Sequence, residues 1–86
     1  MKSLDEFVRE KRKEAGLTQP EFADRAGVAL TVVRKIEQGK GNLNLEKVNR
    51  VLLMFGHTLA PVSIKNIENF FLEDRYGNTI KPLFFE

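Results

Sequence analysis

The 86-residue sequence contains no cysteine, so neither disulfide bonds nor a thiolate metal site can stabilise the fold. A domain of this length buries only about 60% of the surface that its unfolded chain exposes. Stability must therefore come from one small apolar core or from contact with a partner subunit. A chain without cysteine also suits a reducing compartment, and we expect it to be cytoplasmic.

Long apolar runs are also absent. No run of about 18 apolar residues occurs, and the N-terminal segment MKSLDEFVREKRK is charged. The sequence therefore predicts neither a membrane span nor a signal peptide. The only serines are Ser3 and Ser63, no glycine-rich phosphate loop follows a strand, and His57 is the single histidine. We accordingly predict no enzymatic activity, no metal site and no cofactor.

The net charge of +2 is small, but the charges are unevenly distributed. Residues 1–40 carry nine of the fourteen Lys and Arg against seven acids, whereas residues 41–86 carry five of each. A local excess of basic residues is better evidence for nucleic-acid binding than the small net charge of the whole chain. The alternative, a helical surface on which mixed charges maintain solubility, accounts for Glu10, Lys11, Lys13 and Glu14.

Apolar residues recur at helical spacing in four segments. The predicted helices cover residues 4–15, 19–26, 30–38 and 45–55. Thr18 and Glu21 make a capping box before the second helix, and Gly27 interrupts the pattern between the second and third. The residues of the fourth helix that are predicted to face the core are Leu45, Val48, Val51, Leu52 and Phe55. Four such helices predict one small bundle.

The pattern changes after Gly56. Residues 57–64 alternate weakly and contain Pro61, which confines a strand to an edge or an end. The tail is aromatic, and Tyr76-Gly77-Asn78 favours a turn within it. We predict a mainly α fold, a four-to-five-helix bundle of the helix-turn-helix type, with a short C-terminal β segment that is a strand or a hairpin.

The aromatic tail must be buried against something, because a solvated tail would not carry so many large apolar side chains. Its aromatic residues are Phe70, Phe71, Tyr76, Phe84 and Phe85. Packing within the chain or in a dimer is one interpretation, and docking to a partner protein is the other. We divide the chain into a domain of residues 1–62 and an extension of residues 63–86.

The second and third predicted helices meet the requirements of a helix-turn-helix. The motif needs a small residue where the helices approach, a glycine at the turn, and apolar anchors that leave one face of the second helix exposed. These requirements are met by Ala23, Gly27, Val33 and Ile36. At about 100° per residue, positions 30, 31, 34, 35 and 38 fall within about 140° of arc, opposite the two anchors. That arc is the predicted reading face.

These segments resemble the helix-turn-helix of the Cro and phage-repressor (XRE) family. The similar segments are Gly16-Leu17-Thr18-Gln19, Phe22-Ala23, Ala26-Gly27-Val28 and Ile36-Glu37-Gln38-Gly39-Lys40. The resemblance extends over about residues 4–56. The downstream part, from Asn44 to Val62, resembles the antitoxins of the HipB type. In those proteins a short strand pairs across the dimer, and the dimer represses its own operon while binding a kinase toxin.

The resemblance implies a DNA-binding role for seven residues. It places Thr18 and Gln19 against a DNA phosphate with a base edge within reach. The residues that it directs into the major groove are Leu30, Thr31, Arg34 and Lys35, and Lys40 would bind a phosphate after the third helix. The chemistry of these side chains agrees, since arginine can contact guanine twice and a leucine or threonine methyl group can pack against thymine.

Each of these residues also has a simpler interpretation. Thr18 is first of all a helix cap. Leu30 packing against a neighbouring subunit is an alternative to its contact with DNA, and Arg34 and Lys35 as solvated surface residues are another. Ala29 stands where the family usually has a capping Ser or Thr, so this chain lacks a cap worth about 1 kcal/mol at the recognition helix.

Two charged residues are assigned to structure rather than to DNA. In the family that the chain resembles, the basic residue at the position of Arg12 pairs with the acid at the position of Glu37, which joins the first helix to the third. If that pair is largely buried here, the loss of one partner would leave an uncompensated charge and destabilise the fold.

The partners expected from the sequence are double-stranded DNA with two-fold symmetry, a second copy of the chain, and no membrane. A homodimeric repressor of its own operon is the leading hypothesis. The dimer interface is predicted at Leu59, Val62, Ile64, Phe70 and Phe71, because the helical part offers no obvious apolar seam. The alternative is an antitoxin that neutralises a HipA-like kinase toxin through its C-terminal segment and binds DNA for autoregulation.

Overall fold

The computed structural model describes residues 2–64 and the backbone of two short strands further along the chain. The helices are α1 (Leu4–Glu14), α2 (Gln19–Ala26), α3 (Leu30–Glu37) and α4 (Leu45–Leu53), and the strands are β1 (Leu72–Glu73) and β2 (Thr79–Ile80). The prediction of a mainly helical fold is confirmed. The fourth helix is two residues shorter than predicted, because residues 54–56 form a turn. No helix in the described part is long and apolar enough to cross a membrane.

Local hydrogen bonds account for where α2 begins and ends. The Thr18 hydroxyl oxygen accepts from the Glu21 backbone N–H at 3.3 Å, and the Glu21 carboxylate accepts from the Thr18 N–H at 3.1 Å. The pKa of Glu21 lies below its usual value, mainly because its carboxylate accepts from the Thr18 N–H and secondly because of the Thr18 hydroxyl. At the other end Gly27 has a φ of 71°, a left-handed conformation that favours glycine.

The core lies where the four helices meet, and α3 packs against each of the other three. The buried apolar residues are Val8, Leu17, Phe22, Ala23, Val33, Ile36, Val48, Val51 and Leu52. The Phe22 ring also contacts Phe55 edge to face, with the ring centres 5.6 Å apart. Because its inner face is enclosed in this way, α3 is held firmly while its outer face is left for other contacts.

The prediction that Leu45 faces the core is wrong. Its side chain is 69% exposed, and that of Leu53 is 72% exposed. Leu45 lies about 70° around the helix from the centre of the buried stripe, in a first turn that extends beyond the core. Together these residues place an exposed apolar surface on α4, contrary to the expectation that the helical part offers none.

The predicted strand over residues 57–64 does not form in the single chain. Residues 57–63 have no regular secondary structure, and Asn49 holds the start of this segment against α4. The Asn49 side-chain oxygen accepts from the Leu59 N–H at 2.8 Å and from the Thr58 hydroxyl at 3.1 Å. A strand requires a neighbouring backbone, and the described part of the chain supplies none here.

Further along, β1 and β2 pair antiparallel, with Leu72 opposite Ile80 and Glu73 opposite Thr79. The aromatic side chains to which the sequence assigns burial or partner docking lie outside the described residues. They are Phe70, Phe71, Tyr76, Phe84 and Phe85.

Candidate nucleic-acid interface

The outer face of α3 carries most of the residues predicted to enter the major groove. The side chains of Thr31, Arg34 and Lys35 are exposed on it, while Val33 and Ile36 on the opposite face are buried. Leu30 is half-buried and packs against the core. Three polar residues are thus fully presented on this helix, and Leu30 adds only the outer part of its side chain.

Several lysine and arginine side chains on and beside α3 have no acidic partner in the described part of the chain and can therefore contact a phosphate. Within residues 2–64, the side chains of Arg34, Lys35, Lys40 and Lys47 form no ion pair, whereas five other cations do. Lys35 and Lys47 line a small pocket of about 190 Å³ between α3 and the start of α4. Lys47 was not among the predicted DNA-binding residues, and its position in the first turn of the next helix was the only sequence feature that pointed to it. The exposed surface around α3 is therefore positively charged.

Thr18 and Gln19 lie at the beginning of α2, next to the end of α3. The Thr18 hydroxyl oxygen accepts a bond in the capping box, and its proton can donate either to the Glu21 carboxylate, whose pKa it helps to lower, or to a phosphate. The helix cap and a phosphate contact are therefore compatible roles for this residue. Gln19 is half-buried, and its side-chain Nε2 donates to Glu37 Oε1 at 3.4 Å.

Arg12 and Glu37 form a two-bond ion pair between α1 and α3. Arg12 Nε donates to Glu37 Oε2 at 2.8 Å, and Arg12 NH2 donates to Oε1 at 2.9 Å. A third bond of 3.0 Å runs from Arg12 NH1 to the carbonyl oxygen of Leu17. The side chains are 15% and 4% exposed. The bonds to Glu37 are the main reason that the pKa of Arg12 is raised.

The pair belongs to a larger network that the sequence analysis did not predict. Arg9 also donates to the backbone carbonyl of Glu37, and its Nε lies 3.8 Å from Glu37 Oε1. Arg9 and Arg12 are three residues apart and therefore lie on one face of α1, which is the sequence feature that could have predicted the part of Arg9 in this network. The end of α3 is thus tied to both neighbouring helices.

Comparison with known proteins agrees with this geometry. The family model described as Helix-turn-helix matches residues 8–62. The chain belongs to the XRE family of helix-turn-helix proteins. It is also similar to a protein of the archaeon Methanothermobacter thermautotrophicus named as an uncharacterized HTH-type transcriptional regulator. The two are 34% identical over 71 residues, which cover 83% of this chain and 93% of the relative.

As an XRE-family protein, the chain departs from the usual pattern at the start of α3. Ala29 is the N-cap residue of α3 and makes no side-chain bond to the helix. The first turn relies instead on a backbone bond of 3.0 Å from the Val32 N–H to the Ala29 carbonyl. The position of α3 therefore depends on its buried face and on the Glu37 network at its other end.

Proposed function

We propose that this protein is a homodimeric transcriptional repressor of its own operon, which acts in the cytoplasm and binds a two-fold symmetric operator. The observation that carries the proposal is the surface of α3. Its inner face is enclosed by the core, and its outer face presents Thr31, Arg34 and Lys35. The basic residues of this face form no ion pair within residues 2–64. Membership of the XRE family and the name of the relative support a DNA-binding regulator.

The proposed base readers and phosphate contacts make different predictions. Arg34 can make two hydrogen bonds to one guanine, and its replacement by alanine should relax preference at one base pair by about 1–3 kcal/mol. Lys40→Ala should weaken binding to all sequences alike. It removes one phosphate contact, so the slope of log affinity against log salt concentration should become less steep by about 0.9. Lys11→Ala is the matched control, because Lys11 pairs with Glu14 on α1, away from the reading face.

Selection of binding sites from random DNA, followed by affinity measurements at several salt concentrations, tests the proposal. We expect a two-fold symmetric site whose half-sites are about one helical turn apart. A best site that binds less than about tenfold more tightly than random DNA would contradict sequence-specific repression.

Dimerisation is proposed to reside in the segment that follows α4. Leu59 and Val62 are 36% and 48% exposed, and Ile64 is half-buried. The Leu59 N–H is already bonded to Asn49, so pairing with a second copy would begin after it. Two such edges can satisfy each other about a two-fold axis, which would hold both recognition helices at a fixed separation.

The exposed apolar surface of α4 offers a competing interface. Val62→Glu and Leu53→Glu each place a charge on one of the two surfaces, and both side chains are exposed in the single chain, so both variants should fold. We expect Val62→Glu to weaken the dimer at least tenfold in sedimentation equilibrium, while Leu53→Glu leaves it intact. The reverse result would move the interface onto α4.

An antitoxin is the second candidate function. An apolar groove of about 490 Å³ between the start of α1 and the segment after α4 favours it. Its apolar lining includes Leu4, Phe7, Leu52 and Leu59, and such grooves are common where another protein binds. In this hypothesis the C-terminal segment and the groove bind a HipA-like kinase toxin. Co-expression with the product of the adjacent gene tests it, and purification of each protein alone, without complex formation, would contradict it.

A further inference from the structure

Glu37 is a buried acceptor surrounded by hydrogen-bond donors. Its carboxylate, 4% exposed, receives two bonds from Arg12 and lies 3.8 Å from Arg9 Nε. Gln19 completes this environment from α2, with Nε2 3.4 Å from Glu37 Oε1. No buried side-chain nitrogen or oxygen in the described part of the chain is without a partner. The contact with Gln19 is thus part of a satisfied network.

The chemistry of this contact determines which way the Gln19 amide points. The two ends of a glutamine amide have nearly the same shape, so the hydrogen-bonding partner decides which end faces it. A carboxylate held between guanidinium groups offers only acceptors. Gln19 must therefore direct its NH2 group towards Glu37. Its carbonyl oxygen and one remaining N–H make no other hydrogen bond within residues 2–64, and the side chain is partly exposed, so these two groups can contact a ligand.

We propose that Glu37 is a positioning residue for DNA recognition, which holds the Gln19 amide so that one N–H and the carbonyl oxygen face an adenine edge. Adenine presents N7 as an acceptor and the N6 amino group as a donor in the major groove, which matches this pair of groups. A phosphate presents only acceptors and would use the N–H alone. The inference rests on the proposed function, since it requires that the face around α3 binds DNA.

The first part of the test uses the free protein and no DNA. Gln19 and Gln38 are the only glutamines, and Gln38 is exposed, so the chain contains its own reference amide. In NMR spectra of the full chain, the Gln19 side-chain protons should show nuclear Overhauser effects to the Arg12 guanidinium protons, because Gln19 Nε2 and Arg12 NH2 both donate to Glu37 Oε1. They should also exchange with solvent more slowly than those of Gln38. Equal exchange of the two amides, without contacts to Arg12, would overturn the proposal.

The second part asks whether the contact matters for base recognition. Sites are selected from random DNA with the parent, Gln19→Ala and Glu37→Gln proteins. Glutamine at position 37 can accept or donate, so it no longer dictates the orientation of the Gln19 amide. Both variants should lose a preference of about tenfold for adenine at the same base pair, while preferences elsewhere in the site remain.

The outcomes separate this proposal from the proposed function. A purely structural role for Glu37 would weaken binding to all sequences alike, and a phosphate role for Gln19 would do the same in Gln19→Ala. Either pattern overturns the proposal while leaving sequence-specific binding in place. Failure of the parent protein to select any site would instead contradict the proposed function. If Glu37→Gln does not fold, the NMR comparison and the Gln19→Ala selection still decide the question.

Discussion

Replacing Arg12 by alanine would remove one partner from a nearly buried ion pair. Arg12 is 15% exposed and Glu37 4%, and the substitution deletes two bonds to the carboxylate and one to the Leu17 carbonyl. Leaving a buried charge without its partner costs about 3–5 kcal/mol. Arg9 and Gln19 remain beside Glu37, so we expect the lower end of this range, about 3 kcal/mol.

This loss is large compared with the stability of so small a domain. At about 0.05–0.15 kcal/mol per residue, some 60 residues give a free energy of unfolding of about 3–9 kcal/mol. The variant should therefore be marginally folded at room temperature. Urea unfolding followed by circular dichroism measures the effect, and with a slope of about 1 kcal/mol per molar we expect the midpoint to fall by about 3 M.

Two further variants identify the cause. Lys11→Ala removes an exposed pair with Glu14 and should change the free energy of unfolding by less than about 0.5 kcal/mol. Replacing both Arg12 and Glu37 by methionine removes both charges and should destabilise less than Arg12→Ala alone. If Arg12→Ala unfolds within about 0.5 kcal/mol of the parent protein, the carboxylate does not depend on Arg12 and the reasoning is refuted.

Three other predictions concern the helix ends. Ala29→Ser should supply the missing cap of α3 and raise the free energy of unfolding by about 1 kcal/mol in urea, and no gain would show that the first turn is already satisfied. Gly27→Ala should lower the free energy of unfolding in urea by about 1 kcal/mol, because φ is 71° and a Cβ would meet no atom within 4 Å, so the cost comes from the backbone conformation alone. Gly27→Asn should cost less, since asparagine adopts the left-handed conformation more readily, and equal costs would contradict this explanation. The pKa of Glu21 is lowered, so its stabilising effect is present above pH 4.5 and is lost as the pH falls through the lower folded pKa. Thr18→Val removes the hydroxyl but keeps the backbone N–H that is the main cause, so this pKa should rise in an NMR titration yet stay below its usual value; a full return to the usual value would contradict the backbone N–H as the main cause.

Local sequence determined the helices of this protein and the exposed face of α3. Thr18 and Glu21 are three residues apart, so the beginning of α2 could be predicted from neighbouring residues alone. The same holds for Gly27, whose lack of a side chain permits the left-handed turn after α2. Helical periodicity then placed Val33 and Ile36 on the inner face of α3, opposite Arg34 and Lys35. These features depend on interactions within about one helical turn.

The tertiary structure determined most of the contacts between distant residues. The family resemblance implied the pair of Arg12 and Glu37, 25 positions apart, but nothing local to the sequence specifies that Gln19 and Arg9, 18 and 28 positions away, also reach Glu37. Leu45 shares the apolar character of its helix, yet it is exposed because the core ends before the first turn of α4. The angle and offset between packed helices decide both outcomes, and they depend on how side chains from several helices fit together.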